Sequence, residues 1–220
     1  MSAAPGAKMA AMPWLAVALI PVGYVVGMLP SALLVARSRG VDVFAEGSGN
    51  PGASNVARLL GWRAGAFVLT CDFAKGAAAA GIGMLADGRP GAYLVGCAAV
   101  VGHTYPIRRK GGKGVAAAGG MLVALFPLEV AALVLVWVVV ARVLHKASIA
   151  SLLITVAFPV TVAAVGYDAW EVAVISGVAA LLVLRHLPNI RRLVARQEID
   201  VTAPDRGPGD LETGPDSPMR

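Results

Sequence analysis

The sequence predicts an all-α membrane protein: a polytopic bundle of about seven transmembrane helices, with the N-terminus outside and the C-terminus cytoplasmic. Composition, the spacing of apolar runs and the distribution of basic residues carry that prediction. Of 220 residues, 57% are hydrophobic and 15% charged, and the mean hydropathy is +0.72. Soluble domains run about 45–50% apolar and about 25% charged, so this chain belongs in lipid. Cys71 and Cys97 both lie in apolar runs and make neither a disulfide framework nor a metal-binding pattern. A net charge of +6 and a pI near 9.7 would suit nucleic acid in a soluble protein. Here the basic residues cluster between apolar runs and aromatics make up only 6%, which argues against nucleic acid and for lipid head groups or phosphorylated small molecules.

The first apolar run, Trp14–Ala36, follows a single lysine, Lys8. It exceeds the roughly 7–15 residues of a signal-peptide core and reads as an uncleaved helix, with residues 1–13 as a short extracytoplasmic segment. Further runs fall at Ala64–Ala86, Gly91–Ile107, Gly114–Phe126, Leu128–Ala141, Ile149–Val165 and Trp170–Leu184. Several fall short of the roughly 20 residues a crossing needs, so five or six crossings fit the pattern as well as seven. Basic residues follow alternate runs: Arg37, Arg39, Arg58 and Arg63; Arg108, Arg109, Lys110 and Lys113; Arg142 and Lys146; and Arg185, Arg191, Arg192 and Arg196. The other side keeps Lys8 and Arg89 with Asp87, Glu129, Asp168 and Glu171. The positive-inside rule then sets the orientation. Gly23 and Gly27 form a GxxxG pair for close helix packing. The membrane domain is expected over 14–196, and the Pro-, Gly- and acid-rich stretch 197–220 is expected to be a disordered cytoplasmic tail.

Polar islands interrupt this background. Gly47 to Arg58 reads GSGNPGASNVAR. Its glycines, hydroxyls, amides and arginine suit a phosphate cradle, although the same residues also make ordinary polar loops. Asp72 and Lys75 share one face of an apolar helix, as a structural pair or with Asp72 orienting Lys75 toward an anion. Lys110-Gly111-Gly112-Lys113 resembles a truncated Walker loop, but no Ser or Thr follows Lys113 and no strand precedes it, which excludes nucleotide hydrolysis. What remains is glycine N–H groups beside lysines at the start of a helix, a setting that favours an anion. His103 reads as a packing residue. Ser148 opens a helix beside Lys146, and His186 and Asn189 lie three apart in RHLPNIRR, where Arg191, Arg192 and Arg196 read as a membrane anchor. On the predicted topology these islands share the cytoplasmic surface.

In order, GSGNPGASNVAR, DFAKG, GHTYP with KGGKGVA, and RHLPNIRRL resemble the motifs of the acyl-phosphate:glycerol-3-phosphate acyltransferases, the PlsY family. The similarity runs from about Tyr24 to Glu198. It implies a seven-helix enzyme of the bacterial cytoplasmic (inner) membrane that passes an acyl group from acyl phosphate to the 1-hydroxyl of sn-glycerol 3-phosphate. The products would be lysophosphatidic acid and phosphate, and neither a cofactor, a metal nor an obligate protein partner is implied. Carried over by position, Ser48, Gly49, Asn50, Ser54, Asn55, Arg58, Asp72, Lys75, Lys110, Gly111 and Gly112 are candidate phosphate-binding residues. His186, Asn189, Lys113 and Ser148 are candidate catalytic residues. Met28, Ser54, Ala117 and a short Pro106–Lys110 spacer depart from the family pattern. The donor implied is an activated anhydride, so alignment of two anions and charge stabilisation are the main demands. No nucleophile–base–acid triad is evident; His186 or a substrate phosphate oxygen is the candidate base. The rival readings are a small organophosphate or phosphate transporter, suggested by Asp72 and Lys75, and a catalytically weakened family member that binds lipid.

Overall fold

Residues 13–200 are described by a computed structural model in which, among the described residues, all regular structure is helical. The first apolar run is broken into α1 (Pro13–Ala18), α2 (Ile20–Gly27) and α3 (Ser31–Arg37). The break before α3 falls at Pro30, which lacks an N–H and cannot continue the preceding helix. Unwinding there exposes the Leu29 carbonyl, which accepts a 3.1 Å hydrogen bond from Lys75 Nζ. A short helix, α4 (Ala53–Leu60), then leads into α5 (Trp62–Thr104), which is two helices in one. Gly88 adopts φ 59°, ψ −145°, a conformation open only to glycine, and folds 89–104 back along 62–86. The two legs pack so closely that a Cβ at Gly83 would strike the Gly91 carbonyl.

Small residues set the rest of the packing, as the sequence leads one to expect. Gly23 and Gly27 of α2 lie against the Val95 and Ala99 carbonyls of α5. Gly76 of α5 lies against the Ala117 carbonyl of α6 (Val115–Val123), whose Gly120 in turn abuts the Phe73 carbonyl. The bundle closes with α7 (Pro127–Leu144), α8 (Ala147–Val165), α9 (Ala169–Arg185) and α10 (Leu187–Val194). By length and composition four helical stretches among the described residues suit a membrane crossing, or five if α9 and α10, bent by 55°, act together. The nine residues of α6 rise only about 13 Å, short of a roughly 30 Å hydrocarbon core.

The polar islands lie toward one end of this bundle, in loops and at helix ends except for Asp72 and Lys75, which lie within the first leg of α5. At the other end Arg89 donates to Glu171 and to the Leu125 carbonyl and stacks over Phe126, tying α5, the α6–α7 turn and α9 together. The expected tail begins in the described region, and residues 201–220 lie outside it. Gln197 is exposed, whereas Glu198 is buried and Ile199 and Asp200 are partly buried. Arg196 takes φ +56°, and the Gln197 N–H reaches back to the Arg192 carbonyl at 2.7 Å, ending α10 in a left-handed turn that brings Glu198 back toward Asn189. Arginine is strained there, so Arg196→Gly is expected to stabilise the fold by about 1 kcal/mol, read as a higher midpoint in thermal unfolding in detergent.

Candidate active site

The loop before α4 is organised by Asn55, only 1% exposed. Its Nδ2 donates to the Val43 and Glu46 carbonyls, at 3.2 Å each, and its Oδ1 accepts the Ser48 N–H at 2.9 Å and an Arg58 N–H at 3.4 Å. Both amide hydrogens are thus committed to the backbone. Asn55, expected to grip phosphate, shapes the loop that carries Ser48, Gly49 and Asn50 and leads to Ser54 in the first turn of α4, all four partly buried. Lys110 Nζ donates to the Gly49 carbonyl at 2.7 Å and joins this loop to the glycine-lysine segment.

Asp72 and Lys75 lie beneath that junction, 2% and 7% exposed, in an ion pair of 2.8 Å. Asp72 Oδ1 also accepts from the Ser31 hydroxyl and lies 3.6 Å from His103 Nδ1. A carboxylate repels phosphate, and in this geometry Asp72 is engaged with Lys75, the Ser31 hydroxyl and His103. With Arg109, Lys110, Gly111 and Gly112 the pair borders a cleft of about 270 Å³. Gly111 and Gly112 are buried against His103 and Thr104. A Cβ at Gly111 would strike their carbonyls, and one at Gly112 would strike the His103 ring. His103 is therefore the link between the buried ion pair and the loop.

A second cluster forms where α9 bends into α10. His186, 1% exposed, donates from Nδ1 to the Leu182 carbonyl at 2.7 Å; an N–H is required there, so the lone pair falls on Nε2. Asn189 donates from Nδ2 to Glu198 at 2.6 Å, and Arg192 Nε donates to the other carboxylate oxygen at 2.8 Å. Ser148 is buried on the facing end of α8. Among the described residues, Ser148 Oγ and Asn189 Oδ1 are buried atoms with no hydrogen-bond partner. Lys113 lies within electrostatic reach of Glu198, Arg192, Arg58 and Arg185. Burial pushes the Lys113 ammonium down to about 8, with the three cations adding to the effect and Glu198 opposing it. For Glu198 burial acts upward, but donors from Ser148, Asn189 and Arg192 outweigh it and hold the carboxyl below its ordinary value. The Ser148 hydroxyl thus lies near Glu198 but makes no hydrogen bond that meets both distance and angle requirements.

The candidate residues fall into two sets. Arg58, Lys113, Ser148, His186 and Asn189 form the second cluster; Asp72, Lys75, Lys110, Gly111 and Gly112 border the cleft, and Gly49 is tied to it through Lys110. Glu198, Arg192 and Lys146 were missed as site residues. Arg192 was assigned to a membrane anchor, but it holds Glu198. Lys146 donates to the Glu198 carbonyl and pairs with Asp200, whose carbonyl also accepts from Arg58 Nε at 2.9 Å.

A helical membrane bundle with clustered cations and orphaned polar atoms at one end has the make-up of an integral membrane protein with a site for anions. The family described as glycerol-3-phosphate acyltransferase matches residues 17–196, and the chain belongs to that family. The glycerol-3-phosphate acyltransferase of Myxococcus xanthus is 42% identical over 187 residues, covering 82% of this chain and 97% of its own. That of Salinibacter ruber is 37% identical over 226 residues, covering 91% and 99%. A solved structure of PlsY, an integral membrane glycerol 3-phosphate acyltransferase in its glycerol 3-phosphate form, superposes with a TM-score of 0.81 at 34% identity, over 84% of this chain and 95% of that one. Its lysophosphatidic acid form gives 0.78 at the same identity and coverage.

Proposed function

We propose that this chain transfers an acyl group from acyl phosphate to the 1-hydroxyl of sn-glycerol 3-phosphate, releasing phosphate and lysophosphatidic acid. The observation that carries this reading is the pair of orphaned atoms, Ser148 Oγ and Asn189 Oδ1, beside His186 and among Arg58, Lys113 and Arg192. Buried polar atoms left unpaired by their own chain are the partners a polar substrate needs. An apolar groove of about 510 Å³ between α6, α7, α8 and α9, bordered by Val115 and Leu182 at its near end, suits the acyl chain. The relative solved with lysophosphatidic acid supports a product bearing such a chain.

In this reading the glycerol hydroxyl oxygen attacks the acyl carbonyl carbon, a new ester C–O bond forms, and the C–O bond to phosphate breaks. The departing phosphate takes the bonding electrons. The hydroxyl proton has two acceptors in the site, His186 Nε2 and an oxygen of that phosphate. Arg58 and Lys113 offset the repulsion between two anionic substrates. The reading includes seven apolar segments in the bilayer, the N-terminus outside, and the site on the cytoplasmic face of a bacterial inner membrane. Sealed vesicles of known orientation test both parts. Lysophosphatidic acid should form from acyl phosphate and external glycerol 3-phosphate only when the cytoplasmic face is outward. Equal turnover in both orientations, or with an acyl thioester replacing acyl phosphate, would contradict the reading.

Lys113 adds a pH signature. Its lowered value means that the folded protein loses this positive charge as pH rises through about 8, well before an ordinary lysine does. Phosphate affinity should therefore weaken above that pH, with KM for the anionic substrates rising, and Lys113→Arg should flatten the rise. The conformational contribution has the opposite sign: the unfolded chain binds the proton more tightly, so this group adds stability as pH climbs from about 8 toward its ordinary value.

A further inference from the structure

Arg185, the last residue of α9, faces the glycine-lysine loop and is not required by the anchoring role that its neighbours suggest. Its Nη2 donates to the Gly111 carbonyl at 2.9 Å, and Nη2 and Nε both reach the Gly112 carbonyl at 3.2 Å. The guanidinium carbon lies 5.0 Å from the centre of the Tyr105 ring, and the Tyr105 carbonyl is itself held by the Tyr24 hydroxyl at 2.7 Å. One planar fork thus fixes two successive carbonyls and is braced by an aromatic ring, a geometry lysine cannot reproduce.

A trans peptide points its carbonyl and N–H in opposite directions. The Gly111–Gly112 peptide is accounted for at both ends: its carbonyl meets Arg185, and its N–H donates to the His103 carbonyl at 3.1 Å. In the next peptide the Gly112 carbonyl is held on Arg185, so the Lys113 N–H must point away from Arg185. That N–H makes no backbone hydrogen bond among the described residues, and it belongs to the residue whose side chain is coupled to Glu198, Arg192 and Arg58. Without the fork the Gly111–Gly112 peptide keeps its bond to the His103 carbonyl, but the Gly112–Lys113 peptide has no backbone hold at either end and can flip to turn the Gly112 carbonyl oxygen toward the anion.

We infer that Arg185 is a positioning residue: by holding the Gly111 and Gly112 carbonyls it keeps the Lys113 backbone N–H aimed at the departing phosphate. The inference rests on the acyl-transfer reading above. Preorganised donors of this kind act on the transition state, so their loss appears in kcat rather than in KM.

The test compares Arg185→Ala and Arg185→Lys with wild type, using acyl phosphate and glycerol 3-phosphate in detergent, with and without added methylguanidinium, while thermal unfolding reports folding. Arg185→Ala is expected to lose about a hundredfold in kcat with little change in KM. Arg185→Lys should be nearly as impaired, since a point charge cannot bridge two carbonyls, and methylguanidinium should restore part of kcat to the alanine variant only. Unchanged kcat in either variant would overturn the inference. So would a loss in step with unfolding that methylguanidinium leaves untouched. A wild-type protein inactive with acyl phosphate would overturn the reading beneath it instead.

Discussion

Ser148→Ala is expected to lower kcat by about a hundredfold or more while leaving the protein as stable as wild type, or slightly more so. The two effects separate because of what the hydroxyl touches. Ser148 is 5% exposed, and its Oγ has no hydrogen-bond partner among the described residues. A buried hydroxyl without a well-formed hydrogen bond costs the folded state its desolvation, which offsets the small loss of its field at Glu198 when it is removed. The same hydroxyl lies near Glu198 and Asn189, and a bound substrate can supply the bond it lacks. Parallel thermal unfolding and steady-state kinetics check the prediction. A variant that is both folded and fully active would remove Ser148 from the site.

Glu198→Ala should behave in the opposite way and lose both stability and activity. The carboxylate is buried and receives Asn189 Nδ2 and Arg192 Nε on its two oxygens, while the Glu198 carbonyl receives Lys146. Removing the acceptor leaves a buried amide and a partly buried guanidinium unpaired, at a cost of about 3 kcal/mol. It also frees Asn189 to rotate and removes a negative charge that opposes the mutual repulsion of Lys113, Arg192 and Arg58. Glu198→Gln retains one acceptor and should fall between alanine and wild type. Chemical denaturation in detergent micelles and the turnover of whatever remains folded measure both effects. Full stability in Glu198→Ala would contradict the arrangement described.

The helical layout was legible because bilayers impose a simple rule: apolar runs become helices, and close backbone approach needs small side chains. Gly23 and Gly27 meet α5 in the way a GxxxG pair suggests, and the turn between the second and third runs falls at Gly88. The polar islands were legible as chemistry out of place in lipid. Their internal division of labour was not. Asn55 looks like a ligand donor until the loop carbonyls of Val43 and Glu46 come within reach, and nothing local in the sequence announces those partners. Asp72 was visible as a partner for Lys75, but the tertiary approach that brings Lys75 to the Leu29 carbonyl exposed beside Pro30 was not. Glu198 was hidden by composition. Past Gln197 the chain turns polar, and only the left-handed turn at Arg196 folds the carboxylate back into the site. The transporter reading, which rested on charges inside the membrane, gives way because Asp72 and Lys75 neutralise one another beside the loop and because the chain belongs to an acyltransferase family.

The most direct test is inorganic phosphate release by the purified protein supplied with acyl phosphate, with and without sn-glycerol 3-phosphate. Release that requires both substrates, and that matches lysophosphatidic acid formed mole for mole, is the predicted result. Release independent of glycerol 3-phosphate, or none with any acyl chain length, would contradict it.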